Sequence, residues 1–403
     1  MTPVNCWPIF LPRWANTARG SEHSDANNIM KLAFVANFPV GDIRSWSGIV
    51  FHAHQACVAN FATVSVLETP WLDRVIQKIG CYGEKVGIDL LREPFTSKIY
   101  NLALRRQISK ISPDVIIAIA CSPKIAALDV SVPILHMSDA TFHAMLGYYP
   151  TFSHLQPRTV KMGDRMEQQV LDRCAAALLT SDWAAQSARN HYQVPVSKIH
   201  VVPMGASLSA LAVNIEPRRW SVQIGLLFIG VEWERKGGSI AYDVMGQLQA
   251  MGFDARLDIV GCDPPASVAG TPGVFCHGFL RKDVAYEAAR LDELQRTATF
   301  LIVPSRQEAF GLVYCEACAY GLPILATRTG GVATIVQAGV NGFLFEVEDP
   351  SSAYVAAILS LRDNIDYYHE MSRHALRLFE AYFTWQAWGR TVQNIATQIV
   401  ERG

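Results

Sequence analysis

TFLIVPSRQEAFGLVYCEACAYGLPILAT, residues 299–327, decides the fold. It opens on an apolar run, TFLIVP (299–304), that is too short for a helix and rich in β-formers. A polar loop follows, and Phe310-Gly311-Leu312 then starts an apolar helix expected to reach about Tyr320. Gly321 and Pro323 stop that helix, and PILAT (323–327) is a second short apolar strand. Strand, helix and strand joined in this way form the unit of a parallel sheet.

The same rhythm runs along the chain. KLAFVAN (31–37), ATVSVL (62–67), DVIIAIA (114–120), PILHM (133–137), AALLT (176–180) and KIHVV (198–202) form one series. IGLLFIG (224–230), ARLDIVG (255–261), VFCHG (274–278), TFLIVP and PILAT, and GFLFE (342–346) form another. Each run is followed by a longer amphipathic stretch, so both sheets are expected to be covered on both faces. The fold expected is α/β, with two doubly wound Rossmann-like domains facing a central cleft. The 403 residues suit two domains of ordinary size. They divide as residues 30–213 and 214–383, preceded by a loose extension at 1–29 and closed by a helix at 384–403 that packs back on the first domain. Two prolines, Pro8 and Pro12, break the apolar patch of the extension, which makes it a poor signal peptide, and Met30 is an alternative start.

Composition excludes several functions. A net charge of −1 gives no bulk attraction to nucleic acid. No apolar run approaches the length of a bilayer span. The nine cysteines lack framework spacing. Those in apolar runs, Cys121, Cys174 and Cys276, read as reduced, buried thiols of a cytoplasmic protein. Cys315 and Cys318 make a lone CxxC with no second pair for zinc, and read as packing residues. His52 and His54 share a helix but no face, which disfavours a metal site.

The opening stretch also holds the chemistry. Glu308 lies on the loop and Glu316 almost two turns into the helix, too far apart to share a proton as a hydrolytic carboxylate pair would. Between them a helix N-terminus points its free amides at the cleft, where a phosphate is favoured. Gly311 lets the backbone approach closely. Two hydroxyl acceptors on either side of a phosphate cradle fit a nucleotide sugar. The competing reading makes Glu308 a helix cap and Glu316 a solvated residue. FIGVEWERKGG (228–238), after the first strand of the second domain, brings Arg235 and Lys236 with Gly237 and Gly238, a set suited to diphosphate. Gly48, in RSWSGIVFHAHQA (44–56), opens another helix at the cleft. No G-x-G-x-x-G follows any strand, which disfavours a nicotinamide oxidoreductase.

From Met30 to the C-terminus these residues resemble the retaining glycosyltransferases of the GT-B type, specifically family 4. The family's E-x7-E motif stands as Glu308-AFGLVYC-Glu316, and its pyrophosphate loop as Glu234-Arg235-Lys236-Gly237-Gly238. SDWAAQSARNHYQVPVSKIHVVPMGAS (181–207) is similar to the linker-proximal helix and the Val-Val-Pro-x-Gly signature. HGFLRKD (277–283), with Phe279 and Leu280, is similar to the loop whose backbone meets the base. The resemblance implies that Glu308 holds the donor sugar and Glu316 the ribose. Arg235 and Lys236 would neutralise the departing diphosphate, assisted by amides at Ala309, Phe310, Gly311, Leu312 and Gly48. It implies no cofactor and no metal, only a nucleotide-sugar co-substrate, with a UDP-sugar favoured over a GDP-sugar. The first domain would bind a hydroxyl acceptor on a glycan, a lipid-linked sugar or a small molecule. Tyr148-Tyr149-Pro150-Thr151-Phe152 either lines that acceptor site or packs. His136, expected at a strand end, Asp139 and His143 are candidates for catalysis or for buried, satisfied side chains. Any membrane contact would be peripheral, at the inner face, through Trp71 or the patch at 7–14. Two patterns depart from the family. Gly-Val stands at 230–231 in place of Gly-Arg, and Thr334 stands in Gly330-Gly331-Val332-Ala333-Thr334 where a glutamate is usual. The same fold also serves nucleotide-sugar epimerases and hydrolases, and non-catalytic nucleotide-sugar-binding partners.

Overall fold

The computed structural model describes residues 30–84, 89–209, 212 and 215–402. The extension at 1–29, Met30 as a start and the boundary at 213/214 lie at or outside the edges of these residues.

Among the described residues, twelve strands form two six-stranded sheets. The first is β1 (Lys31–Ala36), β2 (Thr63–Val66), β3 (Val115–Ile119), β4 (Ile134–Ser138), β5 (Ala176–Leu179) and β6 (Ile199–Val201), in the order β2-β1-β3-β4-β5-β6. The second is β7 (Ile224–Ile229), β8 (Ala255–Val260), β9 (Val274–Cys276), β10 (Phe300–Val303), β11 (Ile324–Thr327) and β12 (Gly342–Phe345), in the order β12-β11-β10-β7-β8-β9. Every strand pairing is parallel. The central strands are buried along their whole length, as in β3 and β10, because helices cover both faces. That burial is why they read as unbroken Val, Ile and Leu runs.

Strand order fixes where a ligand can sit. In the first sheet the direction of winding reverses between β1 and β3, in the second between β7 and β10. A crevice opens beyond the carboxyl ends at each such point. The loop after β7 carries Arg235 and Lys236, and the loop after β10 carries Glu308, so both line the second crevice.

One continuous apolar cluster joins the two halves. It runs from Phe34 and Val50 through Val202 and Met204 to Trp385 and Trp388, and on to Tyr314 and Cys318. The helix Trp385–Arg402 lies against the helix Ile49–Asn60. A Cβ on Gly389 would come within 2.5 Å of the Asn60 side-chain amide and 3.1 Å of the Ala56 carbonyl oxygen, so a larger residue there would push the Asn60 side chain aside.

Cys276 differs from expectation, because it is exposed rather than buried. It belongs to β9, the outer strand of the second sheet, whose last two residues face solvent. Cys57, Cys121, Cys174, Cys315 and Cys318 are buried free thiols, and burial pushes the thiols of Cys121, Cys174 and Cys318 up to about 12. No helix among the described residues is long and apolar enough to cross a membrane.

Candidate functional site

The helix that follows β10 runs from Leu312 to Ala319, and Gly311 is its N-cap at φ 94°. Only glycine takes that φ without strain. No side chain caps the helix, so the N–H groups of its first turn point into the crevice. Glu308 is therefore not the cap. Its carboxylate pairs instead with the Lys236 ammonium, which reaches across from the loop after β7. Lys236 is 8% exposed.

Gly237 makes that reach possible. It sits at φ 75°, and a Cβ there would lie 2.1 Å from the Pro304 carbonyl oxygen. The loop can lie flat on the end of β10 only with glycine at this position. Arg235 is held on both sides. Its guanidinium donates to Glu232 Oε1 (3.0 and 2.8 Å) and to the Gln307 carbonyl (3.0 Å). Beside it opens a cavity of about 700 Å³, lined by Pro150 of the first domain and by Trp233, Arg235, Arg306 and Gln307 of the second.

Glu316 is 5% exposed, which excludes the solvated reading. Its carboxylate pairs with Lys282, whose ammonium also donates to the Ser207 carbonyl at 2.7 Å. Lys282 lies in the HGFLRKD loop, two residues beyond Leu280, and sequence reasoning did not single it out. Phe279 is exposed in the same loop, and Leu280 packs on the central apolar cluster. Thr334 also has a defined task. Its hydroxyl accepts the Asp182 N–H of the first domain at 3.0 Å, so it serves the junction between the sheets.

The first domain meets this site directly. Tyr148 Oη accepts the Glu308 N–H at 2.8 Å and shares a hydrogen bond with Thr329 Oγ1 at 2.7 Å. Tyr149 Oη accepts the Ala309 N–H at 2.9 Å, and the Arg235 guanidinium lies 5.6 Å from the Tyr149 ring centre. Two neighbouring tyrosines thus clasp the loop that carries Glu308. Gly48 caps the helix Ile49–Asn60, and the Ser47 carbonyl accepts the Ser207 hydroxyl at 2.9 Å. The Gly48 turn and the Lys282 contact therefore meet at Ser207.

Asp139 follows β4 at the cleft. Desolvation pushes its carboxyl up to about 6, and the charge of Glu308 adds to the shift, so the two face one another electrostatically. His136 differs from expectation. It lies in the middle of β4 rather than at its end, in register with Ala118 and Ala177, and is 0% exposed. Burial pushes its pKa down to about 4, so the ring is neutral and enclosed and cannot reach a substrate in this structure. Strand extent and burial on both faces explain the miss. With β4 running on to Ser138, His136 becomes an inner residue of a strand buried on both faces. His143 is exposed and stacks on His191.

A second cavity, about 330 Å³, lies behind the sheet at Arg218, Arg219 and Arg296. Arg218 spends its guanidinium on the carbonyls of Tyr320, Gln295 and Arg296, so it secures the chain rather than offering charge.

Two apposed parallel sheets, with a cation loop and a helix N-terminus at the switch point of the second, define a GT-B architecture. Comparison with known proteins agrees. Residues 50–210 match the model described as Glycosyltransferase Family 4, and residues 223–364 match that described as Glycosyl transferases group 1. The chain belongs to glycosyltransferase family 4. Among curated relatives, the D-inositol 3-phosphate glycosyltransferase of Corynebacterium glutamicum is 27% identical over 55% of this chain and 56% of its own length. That of Thermobispora bispora is 28% identical over 61% and 60%. The chain thus spans less than two thirds of these relatives. Among solved structures, a glycosyltransferase from Rickettsia africae superposes with TM-score 0.65 at 14% identity, covering 93% of this chain and all of that one. HepE of Anabaena in complex with UDP gives 0.63 at 14%, covering 92% and 100%. WaaG, a glycosyltransferase of lipopolysaccharide biosynthesis, gives 0.60 at 15%, covering 91% and 99%.

Proposed function

We propose that the chain is a retaining glycosyltransferase that moves a sugar from a UDP-sugar to a hydroxyl acceptor bound by the first domain. The observation that carries this reading is the pairing of Lys236 with Glu308 and of Lys282 with Glu316, around one uncapped helix N-terminus at the switch point. A donor laid along that line meets cations and amides at its diphosphate. It meets carboxylates at the sugar and at the ribose. Arg235, Lys236 and the amides at 310–312 stabilise negative charge on the leaving diphosphate as the glycosidic bond breaks, which is where electrostatic preorganisation lowers a barrier most. In this reading no metal is needed. Asp139, with a carboxyl near 6, is suited to take the proton of the acceptor hydroxyl.

UDP is favoured because the HepE neighbours were solved with UDP and with UDP-glucose. The names of the curated relatives make a cyclitol phosphate the first acceptor to try. Exposed Trp71 fits a peripheral contact with the inner membrane face.

Thermal unfolding with UDP, GDP and ADP, each with and without EDTA, tests the donor. A ligand at a hundred times its Kd adds about 2.7 kcal/mol to stability. A shift with UDP alone, unchanged by EDTA, is expected. A shift that requires a divalent cation, or one equal for all three nucleotides, overturns this reading of the site.

A further inference from the structure

Three helices of the first domain bring two histidines and a carboxylate together. His143 lies on the helix Phe142–Met145, Asp164 on Pro157–Arg173, and His191 is the C-cap of Asp182–Asn190. One ligand atom from each lies within 4.8 Å of the others. The geometry points to a binding site here for a borderline transition-metal ion, with zinc the first choice, held by His143, Asp164 and His191 and completed by water.

Residue type comes first in the argument. Two imidazoles and one carboxylate form a ligand set that first-row metals favour over calcium or magnesium. Zinc held at its usual bond lengths keeps neighbouring ligand atoms about 3.3 Å apart. His191 Nε2 and Asp164 Oδ1 already stand 3.0 Å apart. The third ligand must close by roughly 1.5 Å, which exposed side chains achieve by rotation alone.

The two histidine rings start from a stack. His143 and His191 stack with centroids 3.5 Å apart and planes 8° from parallel. A ring nitrogen donates in the plane of its ring, so one ring must turn out of the stack before both can hold one ion, a rotation open to exposed side chains.

The surroundings are prepared as well. Tyr192 is 2% exposed, and its hydroxyl donates to Asp164 Oδ1 at 2.8 Å. The same hydroxyl accepts the His143 N–H at 3.0 Å. One buried side chain thus fixes both the carboxylate and the backbone that carries the first histidine, as outer-shell groups do around metals. A bound ion would also tie together three helices that otherwise meet through side chains.

Calorimetric titration of the full chain with Zn²⁺, and separately with Co²⁺, tests the site, with Mg²⁺ as control. One equivalent of Zn²⁺ is expected to bind, at least tenfold more weakly in His143→Gln and in His191→Gln, and Mg²⁺ is not expected to bind. The Co²⁺ adduct should show no sulfur-to-metal charge transfer. The melting temperature should rise with Zn²⁺ in the parent chain and not in Asp164→Asn, with metal-free melts confirming that each variant is folded. Absence of stoichiometric Zn²⁺ binding overturns the proposal. So does equal affinity in both histidine variants, or a thiolate band, which would place the ion at an exposed thiol such as Cys276.

Discussion

Replacing Lys282 by methionine separates what that residue does for the fold from what Glu316 does for the ligand. The Glu316 side chain is 7% exposed and that of Lys282 34%, so the substitution strands a carboxylate that water barely reaches. Removing one partner of a buried ion pair costs about 3–5 kcal/mol. The ammonium here is partly in water, and solvent can fill part of its place, so the cost falls below that range, to about 2–3 kcal/mol. Glu316→Gln alone leaves a neutral amide near a cation that solvent can reach, and should cost about 1 kcal/mol. In the double variant the stranded charge is gone, and its loss should fall short of the sum of the single losses by about 1–2 kcal/mol. Urea unfolding at pH 8 measures all three, and titration with UDP runs beside it. Both variants that lack the Glu316 carboxylate should bind UDP at least tenfold more weakly, the double variant despite its recovered stability. Additive stabilities would show that the pair does not couple. Normal UDP affinity in the double variant would refute the assignment of Glu316 to the ribose.

Asp139→Asn should stabilise the protein at pH 8 and not at pH 4. A carboxyl whose folded pKa, about 6, exceeds its unfolded value of 3.8 holds its proton more tightly when folded, so ionising it costs stability as pH rises through that window. The shift from 3.8 to about 6, which already includes the backbone N–H groups on the carboxylate, sets the gain at about 3 kcal/mol at most. Thermal melts at both pH values decide, and a loss at pH 8 contradicts the burial argument. Lys236→Ala should lower turnover about 10²–10³-fold and cost about 2–3 kcal/mol of stability, and normal turnover per folded molecule would make the loop structural. Tyr148→Phe with Tyr149→Phe removes the two hydroxyls that hold the Glu308 and Ala309 amides. It should cost about 1 kcal/mol per bond and weaken UDP binding several-fold, whereas unchanged binding would show that the loop holds its shape alone.

Much of the fold was legible because parallel strands buried on both faces must be apolar throughout. Eleven of the twelve runs quoted from the sequence contain a whole strand, and the twelfth, PILHM, holds all of β4 but its last residue. The helix start at Gly311 was legible from local rules. Cys276 was misjudged because an apolar run does not say whether its strand is central or outermost. His136 was misjudged by the single residue that β4 extends past Met137. The couplings that shape the site were not legible at all. Lys282 and Glu316 are 34 residues apart, and Tyr148 and Glu308 are 160 apart. The crossovers of the second sheet bring the first pair together and the closing of the two sheets on one another brings the second, and no local pattern encodes such distances. Lys282 left one trace, as a cation in a loop already suspected of facing the ligand.

The most direct measurement is a crystal structure of the chain with UDP bound. The account predicts the diphosphate between Lys236 and the amides of Phe310 to Leu312, and the ribose hydroxyls on Glu316. UDP bound elsewhere, for instance in the arginine-lined cavity behind the second sheet, or with its ribose turned away from Glu316, would contradict it.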